Sequence, residues 1–437
     1  MRSKDELKKI ACEAIDKRKD EIIAFAKDVA REPEYGYKEV KTSKKFSELL
    51  NKIGYESKTG IALTGVVAEK KGNKDDFKIA IMGELDAIGV PAHKDADPQT
   101  GAVHACGHNA QLASVAAVAY ALSDTDIMKD LDGSIKLMGV PAEECIEITY
   151  RKKLIDEGKI SFLGGKQEFI KLGQFDDVDM TIMQHSAVMG QGYTAGATSS
   201  NTGFTIQLIN YKGKPAHAGA APFDGVNALN AAMLGIMGIH AQRETFKDED
   251  HIRVHPIITK GGDIVNVVPA DVRLENYVRG ASPNAIMDAA AKVERAFNAG
   301  AMANGSECEI IRIPGYLPAQ QCCKLNEIMY NNMVSVCGKE NTLMDCPGFG
   351  GGSSDQGDVS QIIPSIQSYF AGVTGGLHSE HFCMADYDAT VIKAAKCMIM
   401  TAIDALYDNA KLGREVKNEF KPNMTKDQYL KDWGHLA

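Results

Sequence analysis

Short β-rich runs alternate with helical stretches in the first part of the chain, and this alternation limits the folds that the sequence can adopt. Apolar and β-branched residues dominate runs at residues 65–69, 78–83, 134–140 and 180–184, and a helical stretch lies at residues 110–122. Strands that alternate with helices are typical of a mostly parallel sheet with helices on both faces. We therefore predict an α/β fold for this part of the chain.

The pattern changes from about residue 198. A different order of elements follows: a strand at 203–211, a helix at 226–242, strands near 252–259 and 271–279, a helix at 283–301 and a strand near 307–312. This order is typical of an α+β sandwich. The α/β pattern then resumes with a helix at 325–337, a strand at 365–370 and a final helix at 389–408. We therefore predict a catalytic domain of residues 1–197 and 312–437 and an inserted domain of residues 198–311.

Composition excludes several classes of function. The 437 residues carry 49 Lys and Arg against 58 Asp and Glu, and this net charge of −9 argues against binding to nucleic acid. No apolar stretch reaches the roughly 20 residues that a membrane span needs, and residues 1–20 lack the apolar core of a secretory signal. The ten cysteines show no disulfide spacing. We therefore expect a cytoplasmic protein with reduced thiols and with no membrane or nucleic-acid partner.

A thiol and an imidazole lie two residues apart in the segment HACGHN at residues 104–109. Cys106 and His108 stand at the start of the predicted helix, and divalent cations accept both kinds of donor. A buried structural cysteine beside a helix-capping histidine is an equally good interpretation of this motif alone. The motif by itself therefore decides little.

Two adjacent carboxylates, Glu143 and Glu144, follow the strand at 134–140. Adjacent side chains point in different directions, so one can bind a cation while the other faces the substrate as a general base. Solvated loop carboxylates are the alternative. Asp86 also follows a strand, and it either orients a ligand imidazole or caps a loop.

His185 and His378 end two further β runs, which completes a set of five potential ligands: Cys106, His108, Glu144, His185 and His378. Five ligands are too many for one tetrahedral cation and suit two cations that share a thiolate. Two cations about 3.5–4 Å apart can hold a bridging hydroxide and polarise a carbonyl oxygen. The set therefore predicts a two-metal site that can catalyse amide hydrolysis.

The motifs together resemble a known family, the dinuclear-metal amidohydrolases typified by aminoacylase, carboxypeptidase G and bacterial N-acyl-amino-acid hydrolases. The resemblance runs nearly end to end and is carried by these segments: PEYGY at 33–37, GELDA at 83–87, HACGHN at 104–109, PAEE at 141–144, GKPAHAG at 213–219, GGDIVNVVPAD at 261–271 and SSDQGDVS at 353–360. The asparagine at the end of the HACGHN motif, Asn109, resembles the motif of the p-aminobenzoyl-glutamate hydrolase branch, which includes dipeptidase-like members.

The resemblance implies roles for the candidate residues. His108 and His185 would bind one cation, Glu144 and His378 would bind the other, and Cys106 would bridge the two. Glu143 would be the general base, which takes a proton from water and returns it to the leaving amine. The inserted domain would serve as a lid and dimerisation domain, and the protein would be a homodimer.

Three residues of the inserted domain enter by the same resemblance. His217 matches a residue that in relatives reaches across a dimer to stabilise the oxyanion, although a turn histidine beside Pro215 is an alternative. Asn266 and Arg279 are candidates for holding a substrate carboxylate, since Arg offers a bidentate fork. Arg279 as a sheet-surface residue remains the alternative.

The sequence departs from the family pattern after the PAEE doublet. Cys145-Ile146-Glu147 replaces the usual glycine-rich continuation, and the segment 148–173 is long and charged. We expect this segment to form part of the substrate mouth.

The leading hypothesis is therefore a metal-dependent amidohydrolase that cleaves an N-acyl or N-aroyl amino acid or a small dipeptide. An inactive metal-binding scaffold and an aminopeptidase or dipeptidase acting on free N-termini are the alternatives. Zinc, manganese, nickel and cobalt all remain compatible with the donors.

Overall fold

The computed structural model describes residues 2–190, 192–197, 200–346 and 348–434. The chain divides into two compact units. The first consists of Met1–Ser200, Gln320–Phe349 and Asp358–Lys426, and the second of Asn201–Ala319, Gly350–Gly357 and Asp427–Ala437. The predicted domain boundary at residue 198 lies outside the described residues, and the predicted division stays a prediction.

Sixteen strands lie in the described part of the chain. In chain order they are β1 (Lys58–Ile61), β2 (Gly65–Lys71), β3 (Lys74–Glu84), β4 (Ile88–Gly89), β5 (Ala102–Val103), β6 (Asp132–Val140), β7 (Met180–Ser186), β8 (Ala195–Ala197), β9 (Gly203–Lys212), β10 (Arg253–Lys260), β11 (Asp271–Gly280), β12 (Glu307–Pro314), β13 (Thr342–Met344), β14 (Ser365–Phe370), β15 (Val373–Thr374) and β16 (Cys383–Met384).

The same described ranges contain twelve α-helices. They are α1 (Lys4–Lys17), α2 (Lys19–Ala30), α3 (Val40–Lys52), α4 (His108–Asp124), α5 (Ile148–Asp156), α6 (Gly165–Lys171), α7 (Ala228–Gln242), α8 (Pro283–Asn304), α9 (Cys323–Cys337), α10 (Gln356–Ser360), α11 (Ala394–Glu419) and α12 (Lys426–Asp432). None of the helices in these ranges is long and apolar enough to cross a membrane.

The first unit is built on an eight-stranded sheet in the order β1-β2-β6-β3-β7-β14-β8-β13. The central strands β6, β3, β7 and β14 run parallel to their neighbours within this group. The predicted mostly parallel α/β sheet is therefore confirmed. Every residue of β6 is buried, as expected for a strand that helices cover on both faces.

Helix α4 lies at the middle of the first unit. It is buried continuously from His108 to Leu122, because β3 packs on it from one direction and α1 and α2 pack on it from another. A helix that is apolar all round is expected in such a place. The first turn of α4, which begins at His108, is therefore buried.

The second unit has its own four-stranded antiparallel sheet, in the order β10-β11-β9-β12. Buried and more exposed residues alternate along β11, which is the pattern of a sheet with one covered face. The covering elements are α7 and α8, which pack on each other and on the sheet. The predicted order of elements in this region matches this arrangement.

The helix predicted at 389–408 does end there, because the backbone angles are non-helical from Tyr407 to Ala410, but it is not the final helix: a further helical stretch reaches Glu419, and α12 follows. The expectation of fully reduced thiols is wrong, because Cys323 and Cys346 form a disulfide with their Cα atoms 5.9 Å apart. Two cysteines 23 residues apart give no local spacing signal, since the fold alone brings them together.

Candidate active site

The carboxyl ends of three parallel strands in the first unit meet at one edge of the sheet, and polar side chains converge there. Glu84 is the last residue of β3, and His185 lies near the end of β7. Glu143 and Glu144 follow β6, and Cys106 approaches from the N-terminus of α4. Ligands collect at this edge in open α/β sheets, because strands end and loops begin there.

Cys106 lies at the centre of the cluster. Its Sγ is 3.4 Å from His185 Nε2 and 3.2 Å from His378 Nε2. The ligand atoms form two triads, each with its atoms within 4.8 Å of one another: Cys106, His108 and His185 in one, and Cys106, Glu144 and His378 in the other. The structure thus brings all five predicted ligands together, and Cys106 belongs to both triads.

The imidazoles of His108 and His185 are oriented by their outer ring nitrogens. His108 Nδ1 lies 3.0 Å from the Asp86 carbonyl oxygen and 3.2 Å from Asp86 Oδ1, and His185 Nδ1 lies 2.7 Å from the Ser186 carbonyl oxygen. Because a carbonyl oxygen can only accept, Nδ1 is the donor in both rings. Each Nε2 therefore faces the centre, which is the orientation that metal-binding histidines adopt.

His378 reaches the centre from a loop with an unusual backbone. Its φ is 57°, and the preceding Gly375 and Gly376 also have left-handed φ values of 80° and 82°. A Cβ at Gly375 would collide with the His381 carbonyl oxygen, so only glycine fits there. The backbone N–H of His378 donates to the Ala105 carbonyl oxygen at 2.9 Å. This bond ties the loop to the segment that carries Cys106.

Glu84 is a sixth ligand-capable side chain at the centre, and it was not predicted from the sequence. Its Oε2 lies 3.0 Å from His108 Nε2, and its Oε1 lies 2.5 Å from Lys166 Nζ, with all three side chains fully buried. Gln111 Oε1 accepts the Glu84 backbone N–H at 2.7 Å. A signal existed, because Glu84 directly follows the predicted strand at 78–83, just as other candidate ligands follow theirs.

The charges at the centre favour an added positive charge. Burial would lower the pKa of His108, but the Glu84 carboxylate and the Cys106 thiol outweigh it and raise that pKa well above the usual value. Burial, followed by the charge of Glu144, raises the pKa of Cys106. Burial would also raise the pKa of Glu144, but the close contact of its Oε1 with His378 Nε2, at 3.1 Å, lowers it. Glu84 and Glu144 thus favour a proton or a cation among the imidazoles.

The donors fit divalent cations. Among the ligand-capable side chains that the structure describes, three buried atoms have ion-pair contacts of 3.0–3.1 Å but no hydrogen bond of good geometry: His108 Nε2, Glu84 Oε2 and Glu144 Oε1. Buried polar atoms are almost always satisfied, and unsatisfied ones indicate a missing ion or water. Thiolate, imidazole and carboxylate are together accepted by zinc, manganese, nickel and cobalt.

Glu143, the other member of the doublet, faces the same region. Its Oε2 lies 3.8 Å from His108 Nε2, and it forms a third close group with Glu84 and His108. Its side chain is 10% exposed, so it can meet water or substrate at the mouth of the cluster. The carboxylate is therefore near the ligand atoms and also reachable from outside.

The three candidates of the second unit do not form one group within that unit. The exposed His217 uses Nδ1 to accept the backbone N–H groups of Gly219 and Ala220, at 3.2 and 3.0 Å. The Asn266 carbonyl oxygen accepts the N–H of Ala218, the neighbour of His217, at 2.9 Å. His217 and Asn266 are thus neighbours, with His217 Nε2 left as the donor.

Arg279 lies at the other end of β11. It pairs in register with Phe204, whereas Asn266 precedes the first residue of the strand, Asp271. Eight residues of strand at about 3.3 Å each separate the two ends by about 26 Å. Arg279 Nη1 donates to Ser353 Oγ at 2.6 Å, and its guanidinium lies 4.9 Å from the centre of the Phe204 ring.

The chain is similar in sequence to known peptidases and amide hydrolases. The family model described as peptidase family M20/M25/M40 matches residues 80–404. The Xaa-Arg dipeptidase of Mus musculus is 26% identical over 97% of this chain and 94% of its own length. A p-aminobenzoyl-glutamate hydrolase homologue of Haemophilus influenzae is 31% identical, over 50% of this chain and 49% of its own length.

A solved structure shares the fold. The crystal structure of a Bacillus subtilis protein, described as a dinuclear metal-binding peptidase from the M20 family, superposes with a TM-score of 0.64. It is 22% identical in sequence, and the match covers 89% of this chain and 98% of that protein.

Proposed function

The chain belongs to peptidase family M20/M25/M40 and is a hydrolase of peptide and amide bonds, and we propose that it cleaves small dipeptides or N-acyl amino acids with two divalent cations. The observation that carries this proposal is the sharing of Cys106 between two ligand triads. A thiolate that belongs to both triads can bridge two neighbouring cations. The Xaa-Arg dipeptidase, similar over nearly the whole chain, supports a dipeptide as substrate.

The residues divide the chemistry among them. When bound, the cations would polarise the scissile carbonyl and supply an activated water. Cys106, His108, Glu144, His185 and His378 would hold them. Glu143 would accept a proton from the attacking water and pass it to the leaving amine, because its carboxylate lies beside the ligand atoms and still reaches the mouth. Asp86 would keep His108 in the tautomer with its Nε2 lone pair inward.

We further propose a homodimer formed through the second unit. Its helix α7 and its edge strand β10 expose large apolar side chains, with Met237 65%, Met233 55% and Ile257 59% exposed. Exposed apolar patches of this kind mark protein interfaces, and an unpaired edge strand pairs readily with a second copy.

Metal analysis and a substrate screen test the proposed function. Metal content is measured by plasma mass spectrometry on protein purified without chelator, and hydrolysis is followed with dipeptides ending in Arg, N-acetyl, N-benzoyl and aminobenzoyl amino acids. We expect two metal ions per chain and metal-dependent release of an amino acid. Dipeptides with free and acetylated N-termini distinguish a dipeptidase from an acylase. Metal-free protein that stays inactive with added zinc or manganese would contradict the proposal and favour an inactive scaffold.

Two variants test the division of roles. Glu143→Ala should keep both metal ions and lower kcat by roughly 10²–10⁴-fold, the usual contribution of a general base. His378→Ala should lose one metal ion, whereas His381→Ala in the same loop, 77% exposed, should keep both. A Glu143→Ala variant with full kcat would show that another group is the base.

A further inference from the structure

The backbone of the Glu143–Glu144 doublet is held by buried side chains and not by a strand ladder. From this arrangement we infer that Arg151 is a positioning residue that fixes the general base Glu143, an inference that rests on the proposed function. Arg151 belongs to α5, in the segment 148–173 that departs from the family pattern. No motif of the sequence marks it for a role.

Arg151 holds the chain on both sides of Glu143. Its Nη1 donates to the Ala142 carbonyl oxygen at 3.2 Å, and its Nη2 donates to the Glu144 carbonyl oxygen. Nη1 also donates to the Leu163 carbonyl oxygen at 2.7 Å. The Ala142 and Glu144 oxygens belong to the peptide groups that immediately precede Glu143 and follow Glu144. One rigid planar guanidinium therefore fixes the distance between two points that bracket the doublet.

Two carboxylates hold the N–H groups of the same stretch. Glu39 Oε1 accepts the Ala142 N–H at 2.7 Å, and Asp86 Oδ2 accepts the Glu144 N–H at 2.8 Å. Arg151 holds the carbonyl oxygens of Ala142 and Glu144, and the two acidic side chains hold their N–H groups. The four peptide groups that flank these two residues are therefore each bonded to a buried side chain. Rotation of the Glu143 backbone must therefore break at least one of these hydrogen bonds to buried side chains.

The turn that presents the doublet is strained, which explains why it needs such a hold. Ala142 adopts a φ of 56°, a left-handed conformation that residues other than glycine rarely occupy. Such a conformation persists only where the surroundings impose it. The bonds from Glu39 and Arg151 to the two sides of Ala142 provide that constraint.

The PEYGY segment closes around Arg151. The Arg151 guanidinium lies 5.5 Å from the centre of the Tyr37 ring, and Tyr37 Oη donates to the Phe162 carbonyl oxygen at 3.1 Å. A Cβ at Gly36 would lie 2.8 Å from Ala142 Cα and closer still to Arg151 Nη2. Gly36 therefore leaves the space that the guanidinium occupies, and its replacement by alanine would push Arg151 away from the doublet.

The test compares steady-state kinetics of Arg151→Met, Arg151→Lys and Gly36→Ala at saturating metal. A displacement of about 1 Å at a catalytic group can reduce the rate roughly 100-fold. We therefore expect Arg151→Met to lower kcat about 100-fold, with KM within about threefold of wild type and both metal ions retained. Arg151→Lys should fall between wild type and Arg151→Met, because one ammonium cannot serve both carbonyls as a fork. Lys153→Met, on the same helix and 74% exposed, is the matched control and should keep kcat.

The outcomes separate this inference from the proposed function. A wild-type chain that hydrolyses no peptide or acyl amino acid refutes the proposed function and this inference with it. A wild-type chain that is active, with Arg151→Met matching Lys153→Met in kcat, refutes only the positioning role. If Arg151→Met does not fold by circular dichroism, Arg151→Lys and Gly36→Ala decide, and wild-type kcat in both overturns the inference.

Discussion

Lys166 Nζ lies 2.5 Å from Glu84 Oε1, and neither side chain is exposed to solvent. Removal of Lys166 takes one of two cationic neighbours from the buried Glu84 carboxylate, since His108 stays 3.0 Å from its other oxygen. We expect Lys166→Met to lower the free energy of unfolding by about 3–5 kcal/mol, measured by urea denaturation. The double variant Glu84→Gln, Lys166→Met should recover much of this loss. Lys417→Met, which removes a 54% exposed partner of Asp179, should change stability by less than about 1 kcal/mol. A similar small loss for Lys166→Met would show that the buried pair contributes little.

Asp86 links the two halves of the ligand cluster. One of its carboxylate oxygens lies 3.2 Å from His108 Nδ1, and the other accepts the Glu144 N–H at 2.8 Å. An asparagine has only one acceptor oxygen, so Asp86→Asn must give up one of these bonds. We expect zinc affinity to fall about 10–100-fold in competition with a chromogenic chelator. Asp95→Asn, which changes a 67% exposed carboxylate, should bind zinc like wild type. Equal affinities of the two variants would contradict the linking role.

Metal binding should release protons and weaken as the pH falls. Burial raises the pKa of Cys106 well above its usual value, so the free thiol stays protonated at neutral pH. A thiolate ligand must lose that proton, and each proton released makes the apparent affinity fall about tenfold per unit decrease in pH. Calorimetric titration with zinc in two buffers of different ionisation enthalpy measures the protons released. Cys106→Ser should release fewer protons, and equal release would show that the thiol is not a ligand.

Glu39 should make stability depend on pH. Burial, together with the negative charge of Asp86, raises the pKa of Glu39 to about 8, from 4.5 for an unperturbed carboxyl. The folded state therefore holds a proton that the unfolded state has lost between these values. The contribution of Glu39 is fully present below about pH 4.5 and is lost as the pH rises through about 8.

Urea denaturation of Glu39→Gln at pH 5 and pH 8 checks this expectation. The variant keeps an acceptor oxygen for Ala142 N–H and has no proton to lose. Its stability relative to wild type should therefore rise between the two pH values, whereas that of Glu48→Gln, at a 66% exposed side chain, should not. A relative stability of Glu39→Gln that stays constant between pH 5 and pH 8 would show that Glu39 is ionised in the folded protein.

The proposed dimer predicts a change in mass on substitution of a single residue. Met237 on α7 is 65% exposed, and a charge placed there would be buried without a partner in an apolar interface. We expect Met237→Glu to halve the mass measured by light scattering on a sizing column. Leu172→Glu, at a 49% exposed site of the first unit, should leave the mass unchanged. A wild-type chain that elutes as a monomer would refute the dimer directly.

The sequence predicts the fold well wherever periodicity is strong. The strand at 365–370 has the predicted bounds. The strands at 65–69 and 78–83 are longer in the structure than predicted, because most of the added residues are charged and do not continue the apolar pattern. Asp408 and Asn409 end the helix as predicted, with left-handed backbone angles. The pattern does not predict the separate helical stretch that follows them and reaches Glu419.

The candidate site is only partly visible in the sequence. Cys106 and His108 stand out because both donors lie in one short motif. Glu39, Arg151 and Lys166 do not stand out, since a charged residue in or beside a helix looks alike along the chain whether it is exposed or buried. Their burial follows from packing between segments far apart in sequence, and periodicity does not report such packing.

The order of strands in the first sheet has a consequence for biosynthesis. Strand β14 inserts between β7 and β8, although it is made long after both, and His378 follows it in the chain. A ribosome-bound chain that has not yet extruded β14 has an incomplete sheet and only part of the ligand cluster. The full set of candidate ligands is therefore complete only after β14 and the His378 loop have been synthesised.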